Sequence, residues 1–274
     1  MKYWWYAVIL LVLAVVLTVL AIKLSKRPKL SYIISMTLSC VFLTYKSVEF
    51  IYYRIIGYPE YPVEYSQFAY FMMGVTMATG FKKTRFLAAF SSLTGALGYI
   101  IAGSISPDSM VTTMSSTYYV VFAVIQHELL LFLGLTMMFN VERYRYRDLW
   151  IPVVGSLLFI GYSLLVYYHY IYPDYLNVEK IVIVKIVMGT VIGFVIGEEN
   201  LTPAIQAVTS VAVILLVVGC MFLLCWLNNK VFDRKEKRMA QLGETMPTFD
   251  YGLIYLFKKL WAKRKAVKET KGEN

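Results

Sequence analysis

Long apolar runs alternate with short polar or basic stretches along almost the whole chain. Each run is roughly 17 to 25 residues long, which is the length that an α-helix needs to cross the hydrocarbon core of a bilayer. The runs predict membrane spans at residues 4–22, 30–51, 62–80, 86–104, 116–139, 149–170 and 203–227. The pattern therefore predicts an all-α polytopic membrane protein with about seven transmembrane helices in one bundle.

One further apolar stretch, residues 181–197, is interrupted by Lys185, Gly189, Gly193 and Gly197. We interpret it as a re-entrant or interfacial segment on the outer side of the membrane. The alternative is an eighth span. In that case either the carboxyl-terminal tail or the amino-terminal half would lie on the side of the membrane that its charges disfavour.

Basic residues follow the first, third and fifth predicted spans, whereas the loops after the second, fourth and sixth are poor in Lys and Arg. Basic loops face the cytoplasm in most membrane proteins, so the amino terminus is predicted outside and the carboxyl terminus in the cytoplasm. The first apolar run resembles a signal peptide in position. However, no small-residue cleavage site follows it, and the basic residues after it form a stop-transfer pattern: Lys23, Lys26, Arg27 and Lys29.

The sequence predicts two parts, a transmembrane bundle over residues 1–227 and a basic tail over residues 228–274. Within the tail, apolar residues from Tyr251 to Trp261 precede and partly overlap a second basic stretch, Lys258 to Lys268. This pattern is typical of an amphipathic helix on an anionic leaflet, so anionic inner-leaflet lipids are a predicted partner. A solvated basic tail is the alternative interpretation.

The composition excludes a soluble domain of this size, because 59% of the 274 residues are hydrophobic and only 16% are charged. The net charge of +10 is accounted for by the basic blocks beside the spans, and no nucleic-acid-binding module is visible. Cys40, Cys220 and Cys225 lie in apolar runs without the spacing of a metal site or of a disulfide framework. The sequence therefore predicts no metal and no cofactor.

Polar side chains that are costly in hydrocarbon occur in three of the predicted spans. Lys46, Glu49 and Tyr53 share one face of the second span, because they are spaced i, i+3 and i+7. The other two groups are Glu64, Ser66 and Gln67 at the start of the third span and Gln126, His127 and Glu128 within the fifth. A shared polar pocket would explain why these costly side chains occur in three different spans. The alternatives are a Lys46 that extends to the outer boundary with Glu49 as its counter-ion, and a His127 that is a satisfied core residue.

The depths of Ser66 and His127 allow contact between them. A rise of ~1.5 Å per residue puts Ser66 about 6 Å, and His127 about 16 Å, below the outer boundary. The ~20° tilt common among membrane helices could close this offset.

The order of these features resembles the YwaF-like integral membrane family, which includes an animal acyltransferase that remodels ether phospholipids. Four features carry the resemblance, over residues 30–170: Lys46, the motif at residues 62–66, the Gly-rich segment from Gly95 to Asp108, and His127. In that family the motif contains a histidine and a cysteine, which are Glu64 and Ser66 here. The resemblance implies acyl chemistry through a serine ester, or a pocket that is retained for binding only.

Two functions from different classes follow. In a lipid acyltransferase or hydrolase, Ser66 would be the nucleophile and His127 the general base, oriented by Glu64 or Glu128. Substrate would be bound by side chains around this pair: Lys46, Glu49, Tyr53, Gln67, Gln126 and Asp108. Alternatively, the same charges bind or transport a small solute or a proton, and a third possibility is an accessory membrane protein. Membrane lipids are the expected partners and the cell membrane the expected location, with the oligomeric state left open.

Overall fold

The computed structural model describes residues 2–57, 60–112, 114, 116–175, 178, 181–249, 251–259 and 261–262. All regular secondary structure in these residues is helical, which confirms the predicted all-α class. The α-helices are α1 Trp4–Leu24, α2 Pro28–Ile55, α3 Tyr65–Thr79, α4 Arg85–Ile105, α5 Pro107–Thr112, α6 Thr117–Thr136, α7 Trp150–Tyr167, α8 Val182–Val187, α9 Gly193–Ile196 and α10 Pro203–Gln241.

Within the described residues, six helices have the length and apolar composition of a membrane span: α1, α2, α4, α6, α7 and α10. They coincide with six of the seven predicted spans. The remaining predicted span, 62–80, is helical only from Tyr65 to Thr79. Its 15 residues rise about 22 Å, less than the ~30 Å hydrocarbon thickness. A count of seven spans and the orientation of the bundle stay predictions.

The apolar stretch 181–197 is not one continuous helix, because it is divided into the short helices α8 and α9. Gly189 explains the break. Its φ of +69° is in the left-handed region that favours glycine, and a Cβ atom there would collide with the backbone of Gln206 on α10.

α4 lies at the centre of the bundle, and its residues from Arg85 to Leu93 are all buried. It packs against α3 on one side and α6 on the other. Small residues bring these helices close. A Cβ on Gly134 of α6 would lie 2.8 Å from Leu93, and a Cβ on Gly95 of α4 would lie 3.1 Å from the Cα of Ser66. This is the small-residue packing that membrane helices commonly use.

A π-turn at Met137–Val141 ends α6 and releases backbone carbonyls from the α-helical pattern. Side chains of α10 bind these carbonyls. Asn228 donates to the carbonyl of Met138 and, over 2.9 Å, to that of Glu142, while Lys235 donates to the carbonyl of Phe139 over 2.5 Å. These bonds fasten α10 to the end of α6.

Residues 244–249 and 251–252, which we call the return segment, fold back onto the bundle after α10 ends. Phe249 is only 3% exposed and belongs to the main hydrophobic core. The predicted boundary at residue 227 falls inside α10. We call the end of the bundle that carries the return segment the basic end, and the end that carries Asp108 the opposite end.

Candidate functional site

Lys46 and Glu49 form an ion pair on the inward side of α2. Lys46 Nζ donates to Glu49 Oε2 over 2.6 Å, and Tyr45 Oη donates to the other carboxylate oxygen over 2.7 Å. Lys46 is 7% exposed, so it does not extend freely to the boundary. A salt bridge within one turn lowers the cost of burying both charges.

Glu64 and Gln67 begin α3 as a capping box. The Gln67 side chain accepts a hydrogen bond from the backbone amide of Glu64 over 3.0 Å, and the Glu64 side chain accepts from the amide of Gln67. This arrangement pairs two amides that the first turn of a helix leaves open. Glu64 also interacts with the hydroxyl of Ser66. Both predicted site residues therefore have a role in the fold of the turn that holds Ser66.

The Lys46 ammonium of α2 interacts electrostatically with polar groups of α3 and α6. It acts on the Glu64 carboxyl at the start of α3 and on the His127 ring of α6. Its ammonium group lies 5.3 Å from the ring centroid of Tyr70 on α3. Tyr70 is 2% exposed, and its hydroxyl has no hydrogen-bond partner among the described residues. We call Lys46, Glu49, Glu64, Tyr70 and His127 the polar cluster.

His127 is held by its own helix and by α4. Its Nδ1 lies 2.8 Å from the carbonyl oxygen of Ala123, and its ring stacks on Tyr99 with centroids 3.7 Å apart. Tyr99 in turn shares a 2.5 Å hydrogen bond with the hydroxyl of Tyr6 on α1. Because Nδ1 must donate to a carbonyl, the neutral ring carries its acceptor at Nε2.

Ser66 and His127 are held by neighbouring turns of α4. Ser66 packs on Gly95, and His127 stacks on Tyr99, four residues later on the same face of that helix. In the part of the chain that the structure describes, no hydrogen bond joins the Ser66 hydroxyl to the imidazole. The two side chains are therefore near the same face of α4 but do not form a preassembled nucleophile–base pair.

Six predicted site residues lie outside the polar cluster: Tyr53, Ser66, Gln67, Asp108, Gln126 and Glu128. Glu128 is 2% exposed, and neither carboxyl oxygen has a hydrogen-bond partner among the described residues. Gln126 is also buried, at 7% exposure. Tyr53 interacts with Tyr119 near the opposite end of the bundle.

Asp108 holds the start of α1. Its carboxylate accepts hydrogen bonds from the backbone amides of Tyr3, over 2.7 Å, and Lys2, over 3.2 Å. The Tyr3 bond is the main reason why the pKa of Asp108 is lowered. Asp108 therefore has a role in the fold, and its predicted role in substrate binding stays a prediction.

Sequence reasoning missed a second polar group, at the basic end. Arg85, one of the basic residues that follow the third predicted span, is only 1% exposed and forms a 2.8 Å ion pair with Glu142. Its second amino group donates to the carbonyl of Phe249 over 2.5 Å. Only the position of Arg85, directly before a long apolar run, could have indicated that it is buried.

An aromatic group beside the start of α3 was also missed. Tyr61 stacks on Tyr172 with centroids 3.8 Å apart and accepts a 2.9 Å hydrogen bond from Arg54. Tyr175 packs edge-on against Tyr61. Burial, together with the charges of Glu64 and Glu60, raises the pKa of Tyr175 to about 12. Glu64 therefore interacts electrostatically both with Lys46 and with this aromatic group.

Comparison of the chain with protein-family models, curated proteins and solved structures finds no match. Within the described residues, no three His, Cys, Asp or Glu side chains are grouped as they would be around a metal ion. The resemblance to the YwaF-like family stays a prediction, and the function has to be argued from the side chains themselves.

Proposed function

We propose that this chain is a multi-pass protein of the cell membrane that binds an amine-bearing ligand in the polar cluster. The observation that carries the proposal is the buried Tyr70 hydroxyl, which has no hydrogen-bond partner among the described residues and lies near the charges of Lys46 and Glu64. Buried polar groups are normally hydrogen-bonded, so an exception calls for a partner such as a ligand, an ion or a water molecule.

The charge and the aromatic rings of the cluster favour an ammonium group. Glu49 pairs with the Lys46 ammonium, and the same ammonium acts electrostatically on the exposed Glu64 carboxyl. The cluster therefore has two carboxylates for one ammonium, and a cation would balance it. The rings of Tyr45 and Tyr70 already have the Lys46 ammonium 5.5 and 5.3 Å from their centroids, which is a cation–π arrangement. The ammonium could belong to a lipid headgroup or to a free organic amine.

Calorimetry on the purified protein in detergent tests the proposal. The probes are ethanolamine, dihexanoylphosphatidylethanolamine and the amine-free dihexanoylphosphatidylglycerol. We expect the amine probes to bind and Glu64→Gln to weaken them about tenfold, equivalent to ~1.4 kcal/mol. Glu199→Gln, an exposed carboxylate outside the cluster, is the matched control.

Each pattern of binding has one meaning. Binding of both amine probes identifies a free-amine site, and binding of the phospholipid alone identifies a headgroup site. Equal binding of phosphatidylglycerol, or no binding of either amine, would contradict the proposal.

Lipid acyl transfer is the second candidate, because two observations favour it. The Nε2 atom of His127 is the acceptor nitrogen of a ring placed one turn of α4 from Ser66. In addition, an apolar cavity of about 460 Å³ lies between α3 and α7, and its lining residues include Pro62, Phe68 and Phe159. Pro62 lies just before the turn that holds Ser66, so an acyl chain in the cavity could present its ester near the serine.

In this reaction the Ser66 hydroxyl oxygen attacks the ester carbonyl, its proton passes to His127 Nε2, and the lysolipid leaves with that proton, so the acyl group stays on Ser66 as an ester. An acceptor lysolipid hydroxyl, or water, then gives its proton to His127 Nε2 and attacks this ester; the acyl group passes to the acceptor, and Ser66 regains its proton from His127. The nucleophile and the base must come within about 2.6 to 3.2 Å, so the substrate has to close the gap between them. Transfer of a labelled acyl chain should be lost in Ser66→Ala and in His127→Gln and kept in Glu199→Gln. Unchanged transfer in the first two variants would exclude this chemistry.

A further inference from the structure

The return segment is fixed to the bundle by its backbone and by one buried ring. The Phe249 ring stacks on Tyr32 of α2, with centroids 4.6 Å apart and planes 13° from parallel. Its carbonyl accepts a hydrogen bond from Arg85, and the carbonyl of Tyr251 accepts one from the Tyr32 hydroxyl. Because Arg85 and Tyr32 are almost completely buried, these bonds are made inside the protein.

A close backbone contact sets the level at which the return segment leaves the bundle. A Cβ atom on Gly80 would lie 2.5 Å from the nitrogen of Gly252, and one on Gly252 would collide with Gly80 in turn. Gly80 directly follows α3. The chain therefore reaches residue 252 at the level where α3 ends, which is one face of the predicted membrane.

The helix that starts at residue 253 has an apolar surface that the bundle covers only in part. Leu253 and Leu256 pack against the main core. Ile254, Phe257 and Trp261 are 49%, 63% and 73% exposed, and their i, i+3, i+7 spacing places them on one face. This exposed face, which we call the aromatic face, lies next to the face that contacts the bundle.

Basic residues accompany the aromatic face. Lys258 and Lys259 are exposed on the same helix. Lys258 follows Ile254 by four residues and borders the aromatic face, whereas Lys259 lies on the opposite side. The sequence continues with four more basic residues, Lys263, Arg264, Lys265 and Lys268. A helix with one aromatic and aliphatic face and a lysine-rich polar face binds in the plane of an anionic membrane surface.

We propose that the helical residues 253–259 and 261–262 lie on the anionic lipid surface at the basic end, with the aromatic face between the lipid headgroups. The return segment fixes the first turn of the helix at the level of that surface, so little conformational entropy is lost when the helix binds lipid. The positive charges of the tail favour anionic headgroups as the partner of the aromatic face. The face that packs on the bundle through Leu253 and Leu256 lies beside the aromatic face, so the protein contact and the lipid contact are adjacent.

Spin labels on the full-length protein in lipid nanodiscs test this placement. In a background in which the three native cysteines are replaced by Ala, Phe257→Cys reports the aromatic face, and Lys259→Cys, a matched control, reports the polar face. In phosphatidylglycerol discs we expect the label at 257 to become accessible to oxygen and protected from a water-soluble nickel chelate. The label at 259 should stay accessible to the chelate.

Two further arms separate the possible outcomes. In phosphatidylcholine discs, or after Lys258→Gln with Lys259→Gln, the shift at 257 should be reduced or lost. A label at 257 that stays accessible to the chelate in phosphatidylglycerol discs overturns the proposal, as does one that is protected from both reagents because another protein surface covers it. Equal protection in both lipids overturns the requirement for anionic headgroups. A label at Val208, which is 70% exposed in α10, verifies that each variant is folded and inserted.

Discussion

Nη1 of Arg85 lies 2.8 Å from Oε2 of Glu142, which joins the first residue of α4 to the chain just after α6. A cation at the first residue of a helix is unfavourable, because the N–H groups there carry partial positive charge. Glu142 and the Phe249 carbonyl compensate for it. The Arg85 guanidinium therefore connects the start of α4, the chain after α6 and the return segment at the basic end.

Removal of the Glu142 charge should destabilise the protein. We expect Glu142→Gln to lower the free energy of unfolding by about 1 to 3 kcal/mol, less than for a fully buried pair because the Glu142 side chain is 27% exposed. Denaturant unfolding in detergent micelles measures this change. Arg147→Gln, at an exposed position, should change it by less than about 0.5 kcal/mol, and equal effects of both variants would show that Arg85 does not depend on Glu142.

The cap of α1 should make stability depend on pH. Because the pKa of Asp108 is lower in the folded protein, its contribution is present above the unfolded value of ~3.9 and is lost as the pH falls through the folded value. We expect Asp108→Ala to lower the thermal midpoint at pH 7 and to have a smaller effect at pH 3. Glu244→Gln, which is exposed, is the control. An effect of Asp108→Ala that is the same at both pH values would contradict this role.

Replacement of Glu128 by an apolar residue should stabilise the protein. Its carboxyl is buried and has no hydrogen-bond partner in the part of the chain that the structure describes, so Glu128→Met should raise the free energy of unfolding by about 1 to 3 kcal/mol. Leu130→Met, at a fully buried neighbouring position, should cost less than about 1.5 kcal/mol. A loss of stability in Glu128→Met would mean that the carboxyl has a partner in the membrane-embedded protein.

Two glycines of α4 provide a matched pair of variants. A Cβ at Gly95 would press on Ser66, whereas a Cβ at Gly98 has no atom within 4 Å. We expect Gly95→Ala to push α3 away from α4 and to weaken binding of the amine probes, and Gly98→Ala to leave binding unchanged. Gly98→Ala should also stabilise the helix by about 0.5 to 1 kcal/mol. Calorimetry and thermal unfolding measure both variants, and equal binding in the two would exclude a role for the Ser66 position.

The six helices of membrane-spanning length and their order could be predicted from the sequence, because hydrophobic length decides whether a segment can span a membrane. The pairing of Lys46 with Glu49 was also predictable, since both residues lie on one helix with fixed spacing. The role of Asp108 was not, because its partners are backbone amides more than 100 residues away. Burial of Arg85 depends on Glu142 and on the return segment, and no local pattern encodes contacts between such distant parts of the chain.

The position of Ser66 relative to His127 shows the same limit at the candidate site. Their depths along the chain could be estimated from helical rise, but not the rotation of each helix about its axis. That rotation is set by small residues such as Gly95 and by the stacking of Tyr99 on His127. These are properties of the packed bundle and not of any one segment.

The length of α10 has a mechanical consequence. Its 39 residues rise about 58 Å, nearly twice the ~30 Å of a hydrocarbon core. Asn228 and Lys235 tie this helix to α6 in its second half, so the two helices should lean together as a single stiff lever. A change of a few degrees in the tilt of α6, produced at the level of His127, would thus be carried outward as a displacement of several ångströms at Gln241.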